Sequence, residues 1–130
     1  MNVSLSLMEK ENIELVLLGG IVRKSATSVV GPFAEEMLDQ FSCTQLFLGV
    51  DGISLEYGLT TSNLLEAHLN QRMIKAVQKT VVLCDSSKFS LRGFGKICEV
   101  EDIDVIITDA GVSASTASEL EDRGVELIIV

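Results

Sequence analysis

The sequence predicts an α/β domain built on a mostly parallel sheet, and two observations lead to this prediction. Five short runs are rich in Val, Ile and Leu and are continuous rather than alternating, which is typical of strands covered on both faces. Helical patterns lie between these runs, so strand and helix alternate along the chain. With 130 residues, of which 47% are hydrophobic, the chain is long enough for one domain with a substantial core.

Each predicted strand is an apolar run, and the first four of these runs end in glycine or polar residues. In chain order they are IELVLLGG (13–20), TQLFLGVDGI (44–53), KTVVLCDSSK (79–88), IDVIITDAG (103–111) and GVELIIV (124–130). Residues 89–102 fit neither the strand nor the helix period, so we expect a loop there with a short extended segment.

The remaining segments carry helical patterns. In chain order they are NVSLSLMEKEN (2–12), GPFAEEMLDQF (31–41), TSNLLEAHLNQRMIKAV (61–77) and SASTASELEDRG (113–124). Pro32 favours a helix start in the second segment, and Thr61, Ser62 or Asn63 is the candidate N-cap of the third. Gly124 is placed to end the fourth. The apolar stripe predicted for the third consists of Leu64, Leu65, Leu69, Met73, Ile74 and Val77.

Composition excludes several classes of protein. The formal net charge of −9 repels polyanions, so DNA binding would have to reside in another part of the protein. No apolar run reaches the ~18–20 residues that span a bilayer, and the first residues do not resemble a secretory signal. Cys43, Cys84 and Cys98 form an odd, widely spaced set, which favours a reduced cytoplasmic setting with the cysteines as small core residues. With His68 as the single histidine, we expect no metal site and no cofactor.

The ends of the first four predicted strands form the candidate site. They are Gly19-Gly20, Asp51-Gly52, Asp85 to Lys88, and Thr108-Asp109. In a parallel sheet these carboxyl ends share one edge, where ligands commonly bind. The spacing therefore predicts a polar rim able to hold a small anionic, hydroxylated molecule, without identifying it.

Each candidate residue also has a purely structural interpretation. Lys88 could contact a phosphate or carboxylate, or it could be a solvated loop lysine. Asp51 could accept hydrogen bonds from sugar hydroxyls, or it could form a turn with Gly52. Glu66 could reach the edge of the site, although a solvated helical glutamate is commoner.

Two glycine-containing segments extend the candidate site. Gly58, Thr60 and Thr61 precede a helix and could bind an anion, although ordinary N-capping explains the threonines equally well. The other segment forms a similar edge, where its glycines could allow close approach of a ligand or simply make a turn. Its residues are Gly19, Gly20 and Arg23.

Four motifs in register resemble the sensor domain of DeoR-type bacterial transcriptional regulators, over nearly the whole chain. They are LLGGIVRKSATSVVGPFAEEML, FLGVDGISLEYGLTTSNLLEAHLNQRMIKAV, VVLCDSSKF and DIDVIITDAG. The resemblance implies a domain that binds a phosphorylated sugar or related metabolite and thereby changes operator binding by an N-terminal helix-turn-helix, often with homo-oligomerisation. It also implies a Rossmann-like three-layer fold similar to ribose-5-phosphate isomerase.

Compared with that family, residues 1–130 resemble the C-terminal part of the sensor domain. The helix-turn-helix and the early strand with its Gly-Thr-Thr phosphate loop are not found in this sequence. We expect a sheet edge or apolar face to be exposed as a result, and self-association could cover it.

The resemblance to the isomerase separates binding from catalysis. Asp51 matches its first active-site aspartate and Lys88 its substrate-binding lysine. Asn70 stands where the isomerase has its catalytic glutamate, and Ser54 stands where it has a second aspartate. These matches favour a binding module that is not an enzyme. The alternatives are a weak sugar-phosphate isomerase, in which Glu66 would replace the missing base, and an oligomerisation module without a ligand.

Overall fold

A computed structural model of the chain describes residues 2–130. Helices separate groups of one to three strands along this length, whereas the sequence predicts a simpler alternation of strand and helix. In chain order the elements are α1 (Asn2–Met8), β1 (Ile21–Arg23), β2 (Ser28–Val30), α2 (Pro32–Leu38), β3 (Cys43–Gly49), β4 (Gly52–Ser54), β5 (Gly58–Thr61), α3 (Leu64–Lys75), β6 (Val77–Leu83), β7 (Gly95–Cys98), β8 (Val105–Thr108), α4 (Ala114–Asp122) and β9 (Glu126–Ile129), with single 3₁₀ turns at Ser86–Lys88 and Val100–Asp102.

The main sheet is parallel throughout and has the strand order β3-β6-β8-β9. Leu48, Val82, Ile106 and Leu127 lie in register across its four strands, and they belong to or pack against the hydrophobic core. Helix α3 lies between β3 and β6 along the chain, and α4 lies between β8 and β9. Strand β7 and the two 3₁₀ turns lie between β6 and β8, so each parallel pair has the long crossover connection that it requires. This arrangement is the Rossmann-like α/β fold that the sequence predicts.

A second, antiparallel sheet with the order β4-β5-β7 was not predicted. Ile53, Leu59 and Ile97 from its three strands are fully or almost fully buried in the same core as the main sheet. The run 44–53, predicted as one strand, is in fact divided after Gly49, and its last residues enter this second sheet as β4. Strands of three or four residues are too short to show a reliable period, which explains the miss.

The prediction of a strand at residues 13–20 was wrong. No strand is formed between α1 and β1, and Ile13, Val16 and Leu17 are exposed. A strand needs a neighbour to accept its backbone hydrogen bonds, and none of the described strands pairs with this run. The first strands of the chain come after this run, in the antiparallel β1–β2 hairpin.

Helix α3 has the predicted boundaries to within a few residues and settles the choice of cap. The Asn63 side chain accepts a hydrogen bond from the Glu66 N–H at 3.1 Å, as an N-cap should. The predicted apolar stripe is only partly correct, because Leu64 and Leu65 are exposed. The helix buries Leu69 as predicted, together with Ala67 and Asn70, which the predicted stripe did not include.

The other helix ends follow local chemistry. Pro32 begins α2 as predicted. The Ser113 hydroxyl caps α4 by accepting from the Thr116 N–H at 3.1 Å. Gly124 follows α4 with φ of +83°, a left-handed conformation that glycine adopts easily.

All three cysteines carry free thiols. Cys84 and Cys98 pack against the core, as predicted. Cys43 is exposed at the start of β3, so the prediction of a core role was wrong for that residue. Burial raises the pKa of the Cys98 thiol to about 12. Within residues 2–130, no helix is long and apolar enough to cross a membrane.

Candidate functional site

The carboxyl ends of β3, β6 and β8 meet at one edge of the main sheet, as the parallel pairing requires. The Ser86 N–H, just after β6, donates to Oδ2 of Asp109, just after β8, at 2.7 Å. The Ser90 N–H donates to the Ile53 carbonyl at 2.8 Å, which joins this edge to the small sheet. The polar strand ends therefore form one continuous rim.

A cavity of about 450 Å³ lies where the end of β3, the start of α3 and the β1–β2 hairpin meet. This volume lies within the range of about 300–1,000 Å³ that is usual for small-molecule sites. Its lining residues are Arg23, Ser25, Ala26, Leu48, Gly49, Asp51, Thr61, Ser62, Glu66 and Asn70.

Four of the ten predicted site residues line this cavity: Arg23, Asp51, Thr61 and Glu66. They come from four separate elements or loops, and the fold joins them through hydrogen bonds. The Thr61 hydroxyl lies 3.0 Å from Oδ2 of Asp51 and 3.2 Å from Oε2 of Glu66, so it bridges the two carboxylates.

Glu66 forms an ion pair with Arg23 through Oε2. Its other oxygen, Oε1, accepts a hydrogen bond from the Ser28 hydroxyl at 3.0 Å. The Arg23 and Glu66 side chains are only 20% and 19% exposed, so the pair is screened less than a surface pair. Arg23 and Ser28 both belong to the hairpin, and Glu66 therefore ties the hairpin to α3.

Asp51 is held differently. Its Oδ2 accepts from the Ser62 N–H at 2.9 Å as well as from Thr61. Partial burial acts to raise the pKa of Asp51, but these hydrogen bonds and the nearby positive charge of Lys88 outweigh burial and hold the pKa below its ordinary value. Asp51 is thus a carboxylate at neutral pH.

Lys88 lies in the 3₁₀ turn after β6 and is half-buried. It does not line the cavity, but its charge acts on Asp51, so the two residues are on the same side of the molecule. Asp85 and Asp109 frame this turn. Hydrogen bonds from Ser87 lower the pKa of Asp85, and hydrogen bonds from Ser86 and Gly111 lower that of Asp109.

Gly52, Gly58 and Thr60 lie away from the cavity and support the small sheet. A side chain at Gly52 would collide with the Leu91 carbonyl, and one at Gly58 with the Cys98 carbonyl. Gly58 also has φ of +100°, which disfavours other residues. Thr60 is fully buried in β5.

Gly19 and Gly20 lie in a different hollow, of about 460 Å³, which is bordered by residues 16–20, the hairpin and α3. A side chain at Gly20 would press against the Val30 carbonyl and the Val29 side chain. The structure thus places these glycines in a hollow whose lining residues differ from those of the cavity beside Asp51, and the strand predicted at 13–20 is not formed.

Sequence reasoning missed five polar or small residues of the cavity wall, one of which is Gly49 at the end of β3. Ser25 and Ala26 lie in the turn of the hairpin, which had no recognisable signal. Ser62 was considered only as a cap. Asn70 was considered only as a lost catalytic residue, yet it is 6% exposed and lines the cavity.

The cavity combines a cation, two carboxylates and several hydroxyl groups. Such a set can bind a small molecule that carries both hydroxyl groups and a negative charge. Among residues 2–130, no three His, Cys, Asp or Glu side chains are grouped to hold a metal ion.

The family model described as the DeoR C-terminal sensor domain matches residues 1–110 of the chain. The chain belongs to this family. Curated relatives of this DeoR sensor domain include a protein of Escherichia coli O157:H7 named "Putative aga operon transcriptional repressor", which is 42% identical over the whole chain and 48% of its own length.

Two further relatives are also named as transcriptional regulators. The uncharacterized HTH-type regulator YulB of Bacillus subtilis is 34% identical over the whole chain and 50% of its own length. The HTH-type regulator GlpR of Haloferax volcanii is 35% identical over 97% of the chain and 49% of its own length. The chain thus spans about half the length of the curated relatives it matches. These relatives carry the names of transcriptional regulators, and the family that the chain matches is that of the DeoR sensor domain.

Proposed function

We propose that the chain binds a phosphorylated sugar, or a similar small anionic metabolite, in the cavity between β3, α3 and the hairpin. Occupancy of the cavity would change the affinity for operator DNA of a helix-turn-helix that lies in another part of the regulator. Residues 1–130 would thus be the C-terminal part of the effector-binding domain. The observation that carries the proposal is the meeting of Arg23, Asp51 and Thr61 in a cavity of sufficient size.

The charges divide the recognition between two parts of the ligand. Arg23 is a fixed cation whose planar fork suits a phosphate or carboxylate group, and Lys88 adds a second positive charge on the same side. Asp51 is ionised and can accept hydrogen bonds from sugar hydroxyls. A neutral sugar would lack the contacts with the positive charges of Arg23 and Lys88. Inorganic phosphate would lack the hydrogen bonds from sugar hydroxyls to Asp51.

The geometry weighs against the isomerase alternative. A general base must be free to accept a proton from the substrate, but Glu66 is ion-paired with Arg23 and already accepts a hydrogen bond from the Ser28 hydroxyl. Asn70, which lies at the position of the isomerase base, carries a neutral amide. The residues of the cavity are therefore suited to holding a ligand without converting it.

A panel of phosphorylated sugars tests the proposal by thermal shift and calorimetry, on this chain and on the full-length regulator that contains it. We expect at least one phosphorylated sugar to bind, and Lys88→Ala to weaken that binding severalfold, because the positive charge of Lys88 lies on the same side of the molecule as Asp51 of the cavity. Lys79→Ala is the matched control, because Lys79 is exposed on β6 away from the carboxyl edge. Equal losses in the two variants would remove Lys88 from the site.

A second candidate function is self-association, and one observation favours it. The face of the main sheet opposite the core carries Phe47, Leu83 and Ile128, which are 60%, 45% and 38% exposed. We call these three residues the outer face. An exposed apolar sheet face of this kind is a common interaction surface, and we propose that a second copy of the chain covers it in a homo-oligomer.

A further inference from the structure

The β1–β2 hairpin is attached to the rest of the molecule in an unusual way. Its two strands pair only with each other in the described structure, yet Arg23, Ser25 and Ala26 supply one wall of the cavity. The base of the hairpin is anchored by Val30, which is fully buried. Further out, its polar side chains meet α3.

Glu66 makes that outer attachment. It accepts hydrogen bonds from Arg23 and Ser28 in the hairpin. The Thr61 hydroxyl lies 3.2 Å from Oε2 of Glu66, but its single hydrogen lies nearer to Asp51. The two carboxylate oxygens share these bonds, so the acceptor sites facing the protein are occupied. Glu66 is therefore better placed to hold the hairpin than to accept from a ligand.

Arg23 retains capacity for a further partner. Its guanidinium has five N–H donors. The Nη1 nitrogen contacts Glu66, and the Nη2 nitrogen lies 3.5 Å from the Ser25 hydroxyl. An anion in the cavity can add a second negative partner without displacing the first. Such an anion would hold the hairpin more firmly against α3.

We propose that Glu66 is a positioning residue that latches the hairpin over the cavity through Arg23 and Ser28, and that an anionic ligand tightens this latch. The second half rests on the proposed function, whereas the first half concerns the free protein. The hairpin is then the part of the domain whose order reports whether the cavity is occupied.

The direction in which Glu66→Gln changes the affinity for an anion distinguishes a positioning role of Glu66 from a direct electrostatic one. Replacing Glu66 with glutamine removes a negative charge beside the cavity, and Coulomb's law alone then predicts tighter binding of an anion. A positioning role predicts weaker binding, because Arg23 is no longer held in place. Glu66→Asp keeps the charge but shortens the side chain, so it should weaken the latch as well.

Amide hydrogen exchange on the free chain tests the latch without any ligand. We expect residues 21–30 to exchange about tenfold faster in Glu66→Gln, since a lost charge-assisted bond lowers the cost of local opening, while β8 is unchanged. The control is Arg72→Gln, which removes an exposed ion pair between the same helix and Asp39, the residue that follows α2. Unchanged exchange of the hairpin in Glu66→Gln would overturn the latch.

Titration with ribose 5-phosphate and with inorganic phosphate tests the second half. With the wild-type chain, binding of either probe should slow exchange of residues 21–30, and Glu66→Gln and Glu66→Asp should each weaken the binding about tenfold. Equal or tighter binding by Glu66→Gln would overturn the positioning role. If neither probe binds the wild-type chain, both the binding of these probes and the coupling of the latch to a ligand are rejected. The hydrogen-exchange result on the free chain then decides alone whether Glu66 latches the hairpin.

Discussion

Two carboxylates of the cavity, Asp51 and Glu66, show how local contacts assign different roles to similar side chains. Glu66 is neutralised by Arg23 and accepts a further hydrogen bond from the Ser28 hydroxyl. Asp51 has no ion pair among the described contacts and receives its hydrogen bonds from Thr61 and Ser62. Asp51 is therefore the carboxylate that we expect to contact a ligand, and Glu66 the one that maintains the wall.

The hydrogen bonds to Asp51 predict a dependence of stability on pH. The folded-state pKa lies below the ordinary value of 3.8, so Asp51 stabilises the fold above that value and loses its contribution as the pH falls through the folded pKa. In urea unfolding, Asp51→Asn should be less stable than wild type at pH 7, and the difference should shrink by pH 3.

Asp122→Asn provides the control for this measurement, because Asp122 is exposed on α4 and away from the cavity. It should follow the wild-type response to pH. A difference between Asp51→Asn and wild type that stays constant from pH 7 to pH 3 would contradict the account of Asp51.

At the scale of residues, the sequence predicted which side chains lie at strand ends better than it predicted their hydrogen-bond and ion-pair partners. Asp51 and Lys88 could be expected on one edge, because parallel strands bring their carboxyl ends together. The Arg23–Glu66 pair could not be predicted, since it joins residues 43 positions apart through a hairpin with no clear turn signal. The packing of the folded chain decides which acceptors a side chain reaches, and a single sequence does not show that packing.

At the scale of elements, the small antiparallel sheet supports the rim on which the candidate site lies. Thr60 links two of its neighbours: the buried hydroxyl accepts from the Gly93 N–H at 2.7 Å and lies 3.3 Å from the Gly52 carbonyl. The loop that follows the Lys88 turn is thereby fixed to β4 and β5.

Replacing Thr60 with valine tests this link, because the shapes match and only the hydroxyl is lost. We expect a loss of about 1–3 kcal/mol in the free energy of unfolding, since the Gly93 N–H is left without its partner. Urea unfolding followed by circular dichroism measures the change. Thr44→Val, at an exposed position of β3, should cost much less, and equal losses would show that the Thr60 hydroxyl contributes nothing.

Long periodic segments were predictable at this scale and short ones were not. The helix at 61–77 and the strands of the main sheet follow from continuous apolar runs and capping residues. The strand predicted at 13–20 has an equally apolar sequence, but no described strand pairs with it. A strand therefore depends on its neighbours as well as on its own residues.

At the scale of the whole molecule, the outer face predicts self-association. Phe47→Ser should shift the chain towards the monomer in sedimentation velocity, because it removes the most exposed side chain of that face. Phe33→Ser is the matched control, since Phe33 is 69% exposed but lies on α2. A wild-type chain that is monomeric at micromolar concentration would contradict the proposed role of the outer face.

The net charge of the chain bears on its proposed role. With a formal net charge of −9, this domain is poorly suited to contact DNA itself. Its proposed contribution is a change in order or contacts on ligand binding, which a DNA-binding segment elsewhere could read. Such coupling requires that the ligand favour one state of the domain over another.

Nuclear magnetic resonance mapping of a bound sugar phosphate on the isotopically labelled chain tests the central claim most directly. The account predicts that the largest changes in amide chemical shift fall on residues 23–26, 49–51 and 61–66, around the cavity. Changes concentrated in α4 and β9, or in the hollow beside Gly19 and Gly20, would contradict it.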